Sequence, residues 1–318
     1  MITIVRRSKK RVSVFQWILA TALFTVSCTT DVWNETEDDA NAICFQAPQT
    51  ESRAAVEGSS LPAKSSFLVW GGYDNNVTNV FDGETVSEFD GVWNYEGGTR
   101  YWIPGKTYSF YGVYPTLSDD KVNIGTGIIT ITDFDCSTIG KDAVDLMTAF
   151  ATGDGDNPQK VNMNFGHELA RVSIVIRSRF ADAVLSQASL YGIAVKGQLS
   201  ATEASSSWKV KSLVTNESTP YKFNGQHTIE AGKELNLWED LLVIPQALND
   251  LKLKVQYTNA GGTLQESEIS LVTSTLQEWV AGKSYRYTLT IEPDGILFEN
   301  LTADAWGETS SGGSIIIH

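Results

Sequence analysis

The residues with types and spacing suited to chemistry are few. Cys28 is preceded by Arg6-Arg7-Ser8-Lys9-Lys10-Arg11, a short apolar run from Val12 to Val26, and Ser27. A basic patch, a brief apolar span and a small residue beside Cys is the layout of a secretory signal whose cysteine is acylated after cleavage. The span is too short, and too interrupted by Ser13, Gln16 and Thr21, for a permanent membrane helix. Thr25, three residues before the cysteine, departs from the larger apolar residue usual there, so an ordinary cleaved signal is the alternative. His167, in Phe165-Gly-His-Glu-Leu169, reads either as a general base or as a histidine capping a sheet edge. Asp154-Gly-Asp156-Asn157 alternates carboxylates as calcium loops do, but lacks a distal Glu and runs into Pro158, as an acidic linker would.

Other catalytic and metal patterns are missing from the sequence. There is no Gly-x-Ser-x-Gly elbow for a nucleophile and no Gly-rich phosphate loop with Lys. Asp and Glu are plentiful but scattered, so nothing points to a glycosidase pair. No enzyme, cofactor or metal site is expected. Of the three cysteines, Cys44 and Cys136 remain if Cys28 is acylated; they either pair or leave Cys136 as a buried thiol. Residues 1–53 hold equal numbers of acidic and basic side chains, so the body carries the whole net charge of −14. Such a surface repels phosphates and excludes nucleic acid as a partner.

The elements that must carry these residues are strands. Thr107–Tyr114 alternates aromatic residues along one face and stops at Pro115. Leu251–Tyr257 alternates cleanly before a turn at Asn259-Ala-Gly-Gly262, and Tyr285, Tyr287, Leu289 and Ile291 share a face. Period-two alternation marks strands with one buried face. Phe67-Leu68-Val69-Trp70 predicts a strand turning at Gly71-Gly72, and Thr99–Ile103 a short strand ended by Pro104-Gly105. Only residues 180–187 offer an alternative helical turn. Residues 29–64 are polar and acidic, a tether with little structure of its own. The organisation expected is a signal peptide at 1–27, a lipidated leader at 28–53, and two β-sandwich domains at 54–158 and 159–318, divided near Gly153–Pro158. The tryptophans beyond the leader read as core residues, or else as a platform for stacking sugars.

Arg53, in Glu51-Ser52-Arg53-Ala54-Ala55, is a lone Arg followed by small residues, a natural target for an Arg-specific protease. Taken with Cys28, it completes an ordered set of motifs. These include Tyr101-Trp-Ile-Pro-Gly-Lys106-x-Tyr108-x-Phe110-Tyr111, Asp145-Leu146-Met147-x-Ala149 and Phe165-x-His167-x-Leu169-Ala170-Arg171-Val172. Trp279-x-x-Gly282-Lys283-x-Tyr285-x-Tyr287-x-Leu289-x-Ile291 and Trp306 follow. In this order the chain resembles the Bacteroidales fimbrillins, subunits of type V pili that include the Mfa-like group.

The resemblance implies two transthyretin-like β-sandwiches. It further implies a precursor anchored in the outer membrane by acyl chains on Cys28, cleavage between Arg53 and Ala54, and a groove refilled by a strand from another pilin subunit. The donor expected is Ile315-Ile316-Ile317 behind the hinge Ser310-Ser-Gly-Gly313; the same run could instead close its own sheet. A host or bacterial surface receptor is a further partner the likeness allows. The alternative function is a surface glycan-binding lipoprotein that stays anchored.

Overall fold

The computed structural model describes residues 40–50, 60–181, 183–259, 261–306 and 314–315. Cys28, Arg53, Ala54, Ile316 and Ile317 lie outside these residues. Among the described residues the chain is all-β, with only short 3-10 turns besides strands.

The first half is an eight-stranded sheet. Its order is Val161–Asn162, Phe45–Gln46, Val92–Tyr95, Phe81–Phe89, Ser66–Tyr73, Thr107–Tyr114, Met147–Asp154, Phe165–His167. The two edge strands are consecutive in sequence, separated only by Met163 and Asn164. One short stretch of chain thus borders both ends of the sheet, pairing with Phe45–Gln46 at one and Met147–Asp154 at the other. Inside lies an aromatic core that includes Phe45, Phe67, Phe81, Trp93, Trp102 and Phe110.

The second half is a sandwich. A five-stranded sheet runs Leu235–Val243, Ala170–Ser178, Lys283–Glu292, Gly295–Ala305, Ser314–Ile315. A four-stranded sheet, Lys222–Ile229, Ala183–Tyr191, Lys252–Thr258, Leu264–Ser270, packs on it across a largely aliphatic core. Alternation predicts these faces well: Leu253, Val255 and Tyr257 are buried, as are Tyr285, Tyr287, Leu289 and Ile291. Residues 183–191 form a strand, resolving the helical alternative.

Pairing crosses residue 158. Val161–Asn162 and Phe165–His167 close the first sheet, and Lys196–Ala201 pairs antiparallel with Ile128–Asp135 in a further four-stranded sheet. A third core, with Trp70, Val113 and Ile131 from one side and Leu199, Ile244 and Trp306 from the other, fills the seam. The halves are thus welded together rather than strung on a linker.

Three local readings differ from the structure. Gly71-Gly72 is not a turn but part of the strand Ser66–Tyr73, which turns instead at Asp74 and Asn75, both at positive φ. The reason is packing: a Cβ on Gly71 would sit 2.6 Å from the Phe110 ring. Thr99–Ile103 reduces to a single bridge, Tyr101 with Ala42. Nor are residues 29–64 wholly without structure, because residues 41–46 are bonded into the first half and Gln49–Thr50 pairs with Leu61–Pro62 in a separate two-stranded sheet.

Candidate functional site

The short segment Asn41–Thr50 carries a strand, Phe45–Gln46, seated between two others. Ala42, Ile43, Cys44 and Phe45 are all buried, and Ile43 and Phe45 point into the aromatic core. Phe45 meets four rings edge-on or nearly so: Phe81 at 5.2 Å, Phe110 at 5.8 Å, Tyr95 at 5.9 Å and Phe67 at 6.2 Å between centroids. Edge-to-face contacts of this kind add to plain burial, itself about 1.5–3 kcal/mol for a side chain such as Phe.

Main-chain pairing holds the segment on both flanks. On one, Phe45 pairs antiparallel with Trp93, the Ile43 N–H donates to the Arg100 carbonyl (2.8 Å), and the Trp102 N–H donates to the Asn41 carbonyl (3.0 Å). On the other, Phe45 pairs in parallel with Val161; the Val161 N–H donates to the Cys44 carbonyl (2.7 Å) and the Met163 N–H to the Gln46 carbonyl (2.8 Å). Side chains set the register. The Asn41 amide donates to the Trp102 carbonyl (2.9 Å), and the Tyr95 hydroxyl donates to the Ile43 carbonyl (2.9 Å).

The walls of this groove are also tied to one another. The Arg100 guanidinium lies over Phe81 (5.0 Å) and Tyr95 (5.3 Å), pairs with Glu84, and donates to the Val80 and Gly98 carbonyls. Burial raises the Tyr95 hydroxyl above its ordinary pKa, so it stays a donor. Gly153 completes the floor: a Cβ there would fall 2.2 Å from the Trp102 ring, so only glycine admits that indole.

A second polar cluster lies at the seam. The His167 Nδ1 lies 2.9 Å from a carboxylate oxygen of Asp145, and the imidazole stacks on Trp306 at 4.0 Å with 5° between planes. Both side chains of the pair are almost wholly buried, at 6% and 5% exposure, which leaves substrate no route to the ring. His167 serves as a wedge between the halves. Beside it, the Thr148 hydroxyl donates to the buried Glu168 carboxylate (2.5 Å).

The acidic turn at 154–157 uses its carboxylates locally. Asp154 accepts from the Asp156 N–H (3.0 Å) and Asp156 from the Gly105 N–H (2.8 Å). Cys136 is a free, buried thiol with its pKa pushed up by burial, so it forms no bridge with Cys44. Trp70, Trp93, Trp102, Trp238, Trp279 and Trp306 are buried, which withdraws them as a stacking platform.

Of the expected donor residues, Ile315 is described, and it pairs antiparallel with Leu301 at the edge of its own five-stranded sheet. Ile43, Phe45, Tyr95 and Arg100 were not singled out from sequence. The available signal was the run Ala42-Ile-Cys-Phe45 between acidic residues and Pro48, a short continuous apolar stretch of the sort that fits a buried strand.

Comparison with known proteins bears on this arrangement. A family model described as fimbrillin-like matches residues 52–306, beginning just after the inserted segment. Among solved structures, a fimbrial protein from Bacteroides vulgatus superposes with a TM-score of 0.54 at 16% identity, covering 84% of this chain and 99% of that one. A proposed cell adhesion protein from Bacteroides ovatus gives 0.54 at 15% identity, over 85% and 98% of the two chains. Another from Bacteroides uniformis gives 0.53 at 16% identity, over 83% and 99%. At such identities the likeness is one of fold. No curated protein matches the chain.

Proposed function

The chain belongs to the fimbrillin-like family, and from that premise we propose that it is a structural pilus subunit that polymerises by strand exchange after cleavage at Arg53. In this reading the precursor is exported and anchored to the outer membrane through acyl chains on Cys28. An Arg-specific protease cuts between Arg53 and Ala54. A strand from another subunit, with Ile315-Ile316-Ile317 as the candidate donor, then takes the leader's place in its groove. The assembled fimbrium supports adhesion to a host or bacterial surface.

One observation carries the proposal: the strand at Phe45–Gln46 lies upstream of Arg53 yet stands between Val92–Tyr95 and Val161–Asn162, within the first sheet. Its loss leaves two strands without a common neighbour and an aromatic trench open. Such a trench flanked by unpaired main chain is what an added strand satisfies, by backbone hydrogen bonds and by burial of alternate side chains.

The test is cleavage of the purified precursor by an Arg-specific protease, followed by chromatography. Oligomers that grow with time and begin at Ala54 are the expected product. A body cut cleanly at Arg53, freed of its leader and still monomeric, overturns the proposal.

A further inference from the structure

We infer that cutting the chain after Arg53 does not release the leader. Residues 41–50 stay seated as a non-covalent strand, and only a competing strand drives them out. This concerns the regulation of the same groove and rests on the reading of Arg53 as a cleavage site. Cleavage primes the subunit; displacement fires it.

The covalent connection is not what holds the leader. On either side of the segment that carries Arg53, the chain is paired to itself: Gln49 with Leu61 and Thr50 with Pro62, in parallel. The Leu61 N–H also donates to the Pro48 carbonyl (2.7 Å), and Leu61 is fully buried. A cut between them leaves both flanks where they were.

Upstream, hydrogen bonds to Arg100, Trp102, Tyr95, Val161 and Met163 bind residues 41–46 from two sides at once. A strand paired on both flanks must break the two ladders together, whereas an edge strand breaks one. Unseating it also exposes the pockets of Ile43 and Phe45, at 0% and 3% exposure. The floor cannot fold in to compensate, because Arg100 is tied to Glu84, Val80 and Gly98. The vacant groove is therefore costly. An incoming strand avoids that state by pairing at one end while the leader peels from the other.

The experiment uses the full precursor, cut with an Arg-specific protease and followed by native mass spectrometry. The fragment ending at Arg53 is expected to remain bound one-to-one, and to leave when a synthetic peptide of residues 40–50 is added but not when its scrambled version is. Phe45→Ala should shed the fragment roughly 100-fold faster or more, given the usual cost of emptying a Phe pocket. Tyr95→Phe, which loses one hydrogen bond and keeps the ring, should shed it roughly five- to tenfold faster; this variant serves if Phe45→Ala fails to fold. Loss of the fragment from the wild type as fast as the cut is made overturns the inference. If the body then polymerises, the proposed function survives that loss. If instead the fragment is retained, is displaced by peptide, and the body never assembles with itself, the inference stands and the pilus reading falls.

Discussion

The two cores of this molecule are built on different principles. The aromatic core of the first half runs from Ile43 to Phe165 and so draws on chain from both sides of Arg53. The aliphatic core of the second half is made of buried residues from Ala170 to Leu301, one contiguous stretch. A single backbone cut can make the first core depend on a non-covalent guest, but no cut at Arg53 touches the second. Between them, the shared sheet and the His167–Trp306 stack keep the halves in register. What the difference teaches, on the proposed reading, is a division of labour: one half is the part that opens, and the other is a fixed body against which opening occurs.

The largest effect that could break this comparison comes from Phe45. Phe45→Ala should cost about 3–5 kcal/mol of stability, the usual range for emptying an aromatic site in a core. Hydrogen exchange should show where: protection falls in Val92–Tyr95 and Phe81–Phe89 and is kept in Ala183–Tyr191 and Lys252–Thr258. Equal loss of protection in both halves would mean that they unfold as one unit, and the division above would fail.

A smaller, pH-dependent effect probes the seam. Glu168 is buried, and desolvation raises its carboxyl pKa above the ordinary glutamate value, with hydrogen bonds from Thr148 and Ser206 opposing. A carboxyl with a raised folded-state pKa favours the protonated form. Its contribution to stability is complete below the unfolded value and is lost as pH rises through the folded one. Glu168→Gln, which mimics the protonated group, should therefore be more stable than the wild type at neutral pH. The advantage should vanish as pH falls towards the ordinary glutamate range. Denaturant titrations of both proteins across that window check it. A constant difference at every pH would show that the carboxylate carries no burial penalty and that the seam is wetter than the packing implies.

The second core was the more legible of the two in sequence. Lys252–Thr258 alternates between buried and part-exposed residues, and Lys283–Glu292 sets Arg286, Thr288 and Thr290 opposite its core face; alternation is a local signal. The leader strand gave almost none. It is two residues long by pairing, its burial comes from five strands distant in sequence, and an acidic run precedes it, so composition alone reads as tether. The shared sheet was equally hidden, because pairing of Ile128–Asp135 with Lys196–Ala201 joins residues far apart, and a polar stretch at 153–158 looks like a boundary whether or not strands cross it. Arg53 was visible by residue type, but what its cleavage could do became apparent only from where Phe45 sits.

The smallest stability effect should come from the other end of the chain, and it sharpens the contrast most. Ser314–Ile315 is paired on one side only, through Leu301 and Thr302 at a sheet edge, whereas Phe45 is paired on both. Truncation before Ser314 removes a one-sided ladder of two residues, worth about 1 kcal/mol or less at the net value of such bonds. Stability of the precursor should hardly change. Assembly after cleavage should stop, because the same run is the candidate donor, and mixing truncated with full-length protein should yield shortened polymers that end at a truncated copy. A strand weakly held at home is free to be given away; one held on both flanks has to be driven out. If truncation instead costs several kcal/mol and leaves assembly intact, Ile315 is a closing strand of its own sandwich, and the donor must be sought elsewhere in the chain.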